Sequence, residues 1–141
     1  MMCSAMAFAN DVTVNNMQVR ELLPMAKTTA GYFSITNDST QLITLTGASC
    51  DCAEDVQLHQ HTYSDGMMKM RRVDEVAIPV GETVTFEPSG YHLMMFKPSK
   101  LKLKRDNEVV VTLRFKHRKP VNIKAQVYSL MDESHHSHSH H

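Results

Sequence analysis

Short stretches of β-type sequence, cut at close intervals by turn residues, run along almost all of this chain and leave no window with a sustained helical period. The stretches cover residues 12–22, 30–36, 41–46, 55–61, 67–73, 82–87, 91–96, 108–115 and 121–128. Breaks fall at Asn37-Asp38, Asp65-Gly66, Pro79-Val80-Gly81, Pro88-Ser89-Gly90 and Lys119-Pro120, residue types that turns favour. In TVTF (83–86) and VVVTLRF (109–115) every second residue is apolar, so each strand has an inward face. At 141 residues the chain can bury a real core but cannot build two ordinary domains. These constraints predict one all-β domain over residues 10–130, a β-sandwich or small Greek-key barrel.

The two ends differ from that domain. Residues 1–9, MMCSAMAFA, are apolar and finish on Ala7-Phe8-Ala9, the small-x-small pattern of a signal-peptidase site. They read as the remnant of a signal peptide, with export and a mature start at Asn10, ahead of the alternative of a short disordered leader. No other segment approaches the roughly 18–20 apolar residues of a membrane helix, so membrane insertion is not expected. Residues 131–141 form a polar, His-rich tail holding His135, His136, His138, His140 and His141, and such a composition cannot offset the entropy of ordering it. Imidazole clusters of this kind bind Cu(II), Ni(II) or Zn(II). The tail is either a native metal-collecting segment or, in part, a purification tag; the serines that interrupt the histidines favour the first.

Formal charges balance at neutral pH, and no Lys/Arg cluster is interleaved with aromatics, so nucleic acid is not an expected partner. The basic stretch 97–105 alternates with apolar residues and reads as a strand with one wet face. No spacing brings together a carboxylate pair or a nucleophile and base, so the chain is not expected to be an enzyme. Without Cys3, the cysteines left are Cys50 and Cys52. Strand neighbours point to opposite faces and i, i+2 positions sit far apart for a disulfide, which makes buried small hydrophobes the leading reading. An oxidised pair and an accessory thiolate site for copper follow behind it.

The chemistry concentrates in HQHTYSDGMMKMRR (59–72) and GYHLMMF (90–96). Asp65-Gly66 is a strong signal for a two-residue hairpin loop, because a type I′ turn needs positive φ at both positions. That turn pairs His61 with Met70 and Tyr63 with Met68, and places His59, His61, Met68 and Met70 on one face. The same period of two puts His92 and Met94 on one face of the next long strand, with Met95 turned away. Core packing gives no reason for histidines to recur on the same face as methionines. Two neutral imidazoles and two thioethers, His59, Met70, His92 and Met94, suit Cu(I), a soft monovalent ion. His61 and Met68 are candidate accessory ligands. Blue-copper electron carriers need a Cys thiolate, and no Cys stands in the His92 strand, so the expected task is holding and transferring Cu(I) at a shallow site rather than redox cycling. Met70 and Met94 are expected to set selectivity, while His59 and His92 anchor the ion and make capture acid-sensitive.

The intervals are ten residues from His59 to Met70, twenty-one from Met70 to His92 and one from His92 to Met94. This H-x10-M-x21-H-x-M pattern resembles the signature of the PCuAC family of periplasmic copper chaperones. The flanks VQLHQ, DGMMKMRRV, IPVGETV, EPSGYHLMMF and VVVTLRF also resemble that family, over residues 10–128. The resemblance implies a cupredoxin-like Greek-key β-sandwich that binds one Cu(I) and delivers it to the CuA centre of cytochrome c oxidase subunit II, alongside Sco-type proteins. It further implies that a His-rich C-terminal extension can hold Cu(II). Cys50, Cys52 and His61 lie outside the signature.

Overall fold

The computed structural model describes residues 6–9 and 11–129. Eleven strands make up its regular structure: β1 (Met6–Ala9), β2 (Val12–Arg20), β3 (Thr28–Asn37), β4 (Ile43–Cys50), β5 (Ala53–Ser64), β6 (Met67–Arg72), β7 (Val76–Ile78), β8 (Thr83–Phe86), β9 (Tyr91–Pro98), β10 (Glu108–Phe115) and β11 (Arg118–Tyr128). Among the described residues no helix is long and apolar enough to cross a membrane.

The strands close into a barrel, as expected for an all-β chain of this pattern. Neighbours run β5, β9, β3, β2, β11, β10, β4, and the ring returns to β5 through the single pair Cys50 and Ala53. β8 lies between β3 and β9, while β1, β6 and β7 flank β2, β5 and β4. The β2–β11 pairing is parallel although the strands lie at opposite ends of the domain, so the chain must cross over between its first and last long strands. β1 falls inside the segment read as a signal-peptide remnant and pairs antiparallel with β2.

Alternation sets the core. In β10, Val109, Val111, Leu113 and Phe115 are buried, and β11 answers with Val121, Ile123, Ala125 and Val127. Burying each of the larger side chains contributes about 1.5–3 kcal/mol, which is ample reason for the register to hold. A slip of one residue would turn the whole apolar set to solvent. In β2 the inward set changes from Val12 and Val14 to Met17 and Val19, and a bulge between Asn15 and Gln18, with Asn16 at φ 55°, makes that change possible. The bulge therefore decides that Arg20 faces outward.

Two local expectations are corrected, and one short strand is added. Residues 99–106 form turns, not a strand: Pro98 ends β9, and Ser99 then accepts the Leu103 amide on its carbonyl and the Lys102 amide on its hydroxyl. The apparent alternation there only serves to bury Leu103. β7 has three residues, too few for a period to register in the sequence, and pairs with β4. Cys50 and Cys52 are joined as a disulfide rather than buried as free thiols. The strand-spacing objection fails because the chain turns between them: Asp51 and Cys52 form the β4–β5 corner, which brings the Cα atoms to 5.0 Å, inside the usual disulfide range.

Candidate metal centre

β5 is twelve residues long and carries an antiparallel partner, β6, along its outer edge. Asp65 (φ 53°) and Gly66 (φ 75°) make the turn, with the positive φ that the dipeptide was expected to supply. The resulting register pairs His61 with Met70, Tyr63 with Met68 and His59 with Arg72. On the other edge of β5, His59 lies directly opposite His92 and Gln57 opposite Met94. Leu58, Leu93 and Met95 turn into the core. The outer face of three adjacent strands thus gathers His59, His61, Met70, His92 and Met94.

A cleft of about 300 Å³ opens on this face, lined by His61, Met70, His92 and Met94 together with Arg20 and Tyr32. Its floor and rim differ. His92 is only 3% exposed whereas Met70 is 47% exposed, so a buried imidazole sits beneath an accessible thioether. The His61 ring lies 5.0 Å from the His92 ring and the His59 ring 5.8 Å away. His59 stands beside His92 without lining the cleft, and Met68, exposed near the end of the hairpin, does not line it either. Among the described residues no three His, Cys, Asp or Glu side chains converge as a metal-holding set, so an ion in this cleft has to draw on methionine sulfur.

The protonation pattern of the imidazoles follows from their neighbours. His61 Nδ1 is 2.8 Å from the Pro88 carbonyl, which can only accept, so Nδ1 carries the proton and Nε2 keeps its lone pair. Gln57 donates through Nε2 to Asp55, which orients its Oε1 to accept from His59 Nε2 at 3.0 Å. His59 Nδ1 is then the lone-pair nitrogen, and it is buried without a hydrogen-bond partner. His92 has no partner on either ring nitrogen. Buried polar atoms are nearly always satisfied, and a buried imidazole with both nitrogens orphaned beside two thioethers is the arrangement a bound cation would complete.

Charge acts in the same direction. Burial, then the nearby His61, His59 and Arg20, push the His92 imidazole down to about 4. Burial, Arg72 and His61 likewise hold His59 below its ordinary value. The His92 ring therefore stays neutral and competent to ligate well into mild acid, with His59 shifted in the same direction, so acid sensitivity sets in lower than ordinary imidazoles would suggest. Arg20, which also donates to the Tyr32 hydroxyl at 3.3 Å, and Arg72 raise the cost of placing more than one positive charge here. The environment favours a monovalent ion over a divalent one.

The Gln57 contact offers a direct check. Replacing Gln57 by leucine removes the acceptor that fixes the His59 tautomer, and Cu(I) affinity is expected to fall about 10–100-fold, the usual cost of losing such an orienting partner. A competition titration with a Cu(I) chelator measures this, and unchanged affinity would place His59 outside the metal's reach.

Residues 12–127 match the family profile described as putative lipoprotein LpqE-like. Among solved structures, the copper-bound PCuAC domain from PmoF2 is similar at 21% identity and a TM-score of 0.73, covering 88% of this chain and 97% of that one. The solution structure of apo-DR1885 from Deinococcus radiodurans is similar at 32% identity and a TM-score of 0.65, covering 92% of this chain and 86% of that one. The Cu(I) form of DR1885 matches at 32% identity and a TM-score of 0.66, over 80% of this chain and 75% of the other. No curated protein matches the sequence.

Proposed function

Because this chain belongs to the LpqE-like family of PCuAC domain proteins, we propose that it binds one Cu(I) at the outer face of β5, β6 and β9 and passes it to another protein. His92 carries this reading: a buried imidazole with both nitrogens unpartnered, set under Met70 and Met94. Met70 and Met94 supply the soft sulfur, His59 and His92 the nitrogen, and His61 a further lone pair at the cleft wall. Copper is the cargo here, and no bond of a substrate is made or broken. Relatives support the reading, since a PmoF2 domain and DR1885 have each been solved with copper bound.

The geometry supports transfer. Met70 lies on an edge hairpin whose β6 residues are all exposed, so an acceptor can approach from that side and replace the thioethers one at a time. The neutral donor set and the neighbouring Arg20 and Arg72 keep the ion in its +1 state without gripping it as a thiolate cage would. The lipoprotein description of the family accords with an exported protein working in the periplasm. The acceptor we propose is the CuA centre of cytochrome c oxidase subunit II, with Sco-type proteins acting alongside. A Cu(II)-collecting role for the 131–141 tail, whose His135, His136, His138, His140 and His141 lie outside the described residues, belongs to the same proposal.

Mixing Cu(I)-loaded protein with apo-CuA domain and following the purple CuA absorption, with an oxidant to complete the mixed-valence centre, tests transfer. Copper should move to the acceptor, and Met94→Leu, which keeps apolar volume, should load less copper while melting as the unsubstituted protein does. Copper held against the acceptor at equilibrium would instead indicate a sequestering protein.

A further inference from the structure

The β4–β5 corner brings a second set of sulfur atoms together on the other side of β9. Cys52 Sγ lies 3.7 Å from Met95 Sδ, and Cys52 is also bonded to Cys50. Met95 and Cys52 are fully buried, while Cys50, at 8% exposed, is the member nearest solvent. We infer that Cys50, Cys52 and Met95 form a second Cu(I) site, which opens when the Cys50–Cys52 disulfide is reduced.

The chemistry balances with a dithiol as reductant. Its two thiols give two electrons to the Cys50–Cys52 bond and end as a disulfide, and their two protons pass to the cysteine sulfurs. Cu(I) then displaces both protons and is held by two thiolates and the Met95 thioether, giving a complex of net charge −1. Three sulfurs around one ion at metal–sulfur distances of roughly 2.3 Å stand about 4 Å apart, so the Met95–Cys52 separation already suits a trigonal site. Reduction needs only to part the two cysteine sulfurs.

The surroundings fit that use. The Cys52 amide donates to Cys50 Sγ at 3.1 Å, a contact that favours sulfur as thiolate. Asp51 Oδ1 lies 3.8 Å from Cys50 Sγ and works against a thiolate there, but it accepts from the Val110 amide at 3.0 Å and its carboxylate pairs with Lys102 Nζ at 3.8 Å, which offsets that charge. A bridge over two positions closes a very short loop, so its chain-entropy contribution to stability is at the small end. All-sulfur, low-coordinate donation selects Cu(I) over Zn(II), which requires a fourth ligand. This site does not depend on the His92 cleft, because Met94 and Met95 face opposite sides of β9.

The test compares oxidised and dithiothreitol-reduced full-length protein, with Cys3→Ser in every sample so that the corner supplies the only thiols. Excess reductant is removed anaerobically, free thiols are counted, and Cu(I) is titrated against a competing chelator. The reduced protein should take one more Cu(I) per chain than the oxidised protein, and X-ray absorption averaged over both ions should show more sulfur and less nitrogen per copper than in the oxidised protein. Cys50→Ser should lose that extra equivalent. Met95→Leu should lose it or lose its third sulfur neighbour, with its two thiols still counted. Met94→Leu should retain it, which separates this site from the cleft. Equal stoichiometry in the two redox states, or an extra equivalent that survives Cys50→Ser, would overturn the proposal.

Discussion

Replacing His92 by leucine is expected to abolish useful Cu(I) binding while making the apo protein more stable. The imidazole is buried with neither nitrogen satisfied, and each such group costs about 1–3 kcal/mol. Leucine fills similar space with nothing to satisfy, so melting should rise by a few degrees. Affinity should drop by more than about a hundredfold, beyond what loss of an orienting partner alone costs. Opposite signs for stability and binding are the mark of a residue kept for function against its structural cost. Differential scanning calorimetry of the apo protein and a Cu(I) competition titration measure the two effects. A lower melting temperature would mean that His92 serves the fold instead.

Acid should destabilise the apo protein through the same residue. In the unfolded chain an imidazole takes up its proton near 6.5, but folded His92 does so only at about 4. Between these values the unfolded state binds more protons, so stability is fully present above about 6.5 and is lost as pH falls toward 4. At roughly 1.4 kcal/mol per unit, the loss is on the order of 3 kcal/mol. His59, also held low by burial and Arg72, adds to it in the same direction. Denaturant midpoints of the apo protein from pH 7.5 to 4.5 should fall through this window, and the fall should be much smaller in His92→Leu. A bound cation at the imidazoles competes with the proton, so copper loading should flatten the apo curve.

Much of this site can be read from the chain because its determinants are local. Asp65-Gly66 fixes the hairpin, the hairpin fixes the His61–Met70 pair, and the period of two assigns Met94 outward and Met95 inward. The His59–His92 pairing is not local, since it depends on how β5 docks along β9. Nor does the sequence tell which histidine faces the cleft. That depends on the Pro88 carbonyl, which turns the His61 ring toward His92, and on the Gln57 amide, which holds the His59 ring to one side. Cys50 and Cys52 depart from the expectation for a related reason. The spacing rule for residues along a strand does not hold at a corner, and the corner becomes evident only once Cys50 pairs with Ala53.

X-ray absorption at the copper edge, on oxidised protein loaded with a single equivalent of Cu(I), tests most directly whether thioethers and imidazoles meet around one ion. The expected spectrum shows two sulfur and two nitrogen neighbours, with the sulfur count falling by one in Met70→Leu and again in Met94→Leu. A first shell made only of nitrogen and oxygen, unchanged by either substitution, would contradict it.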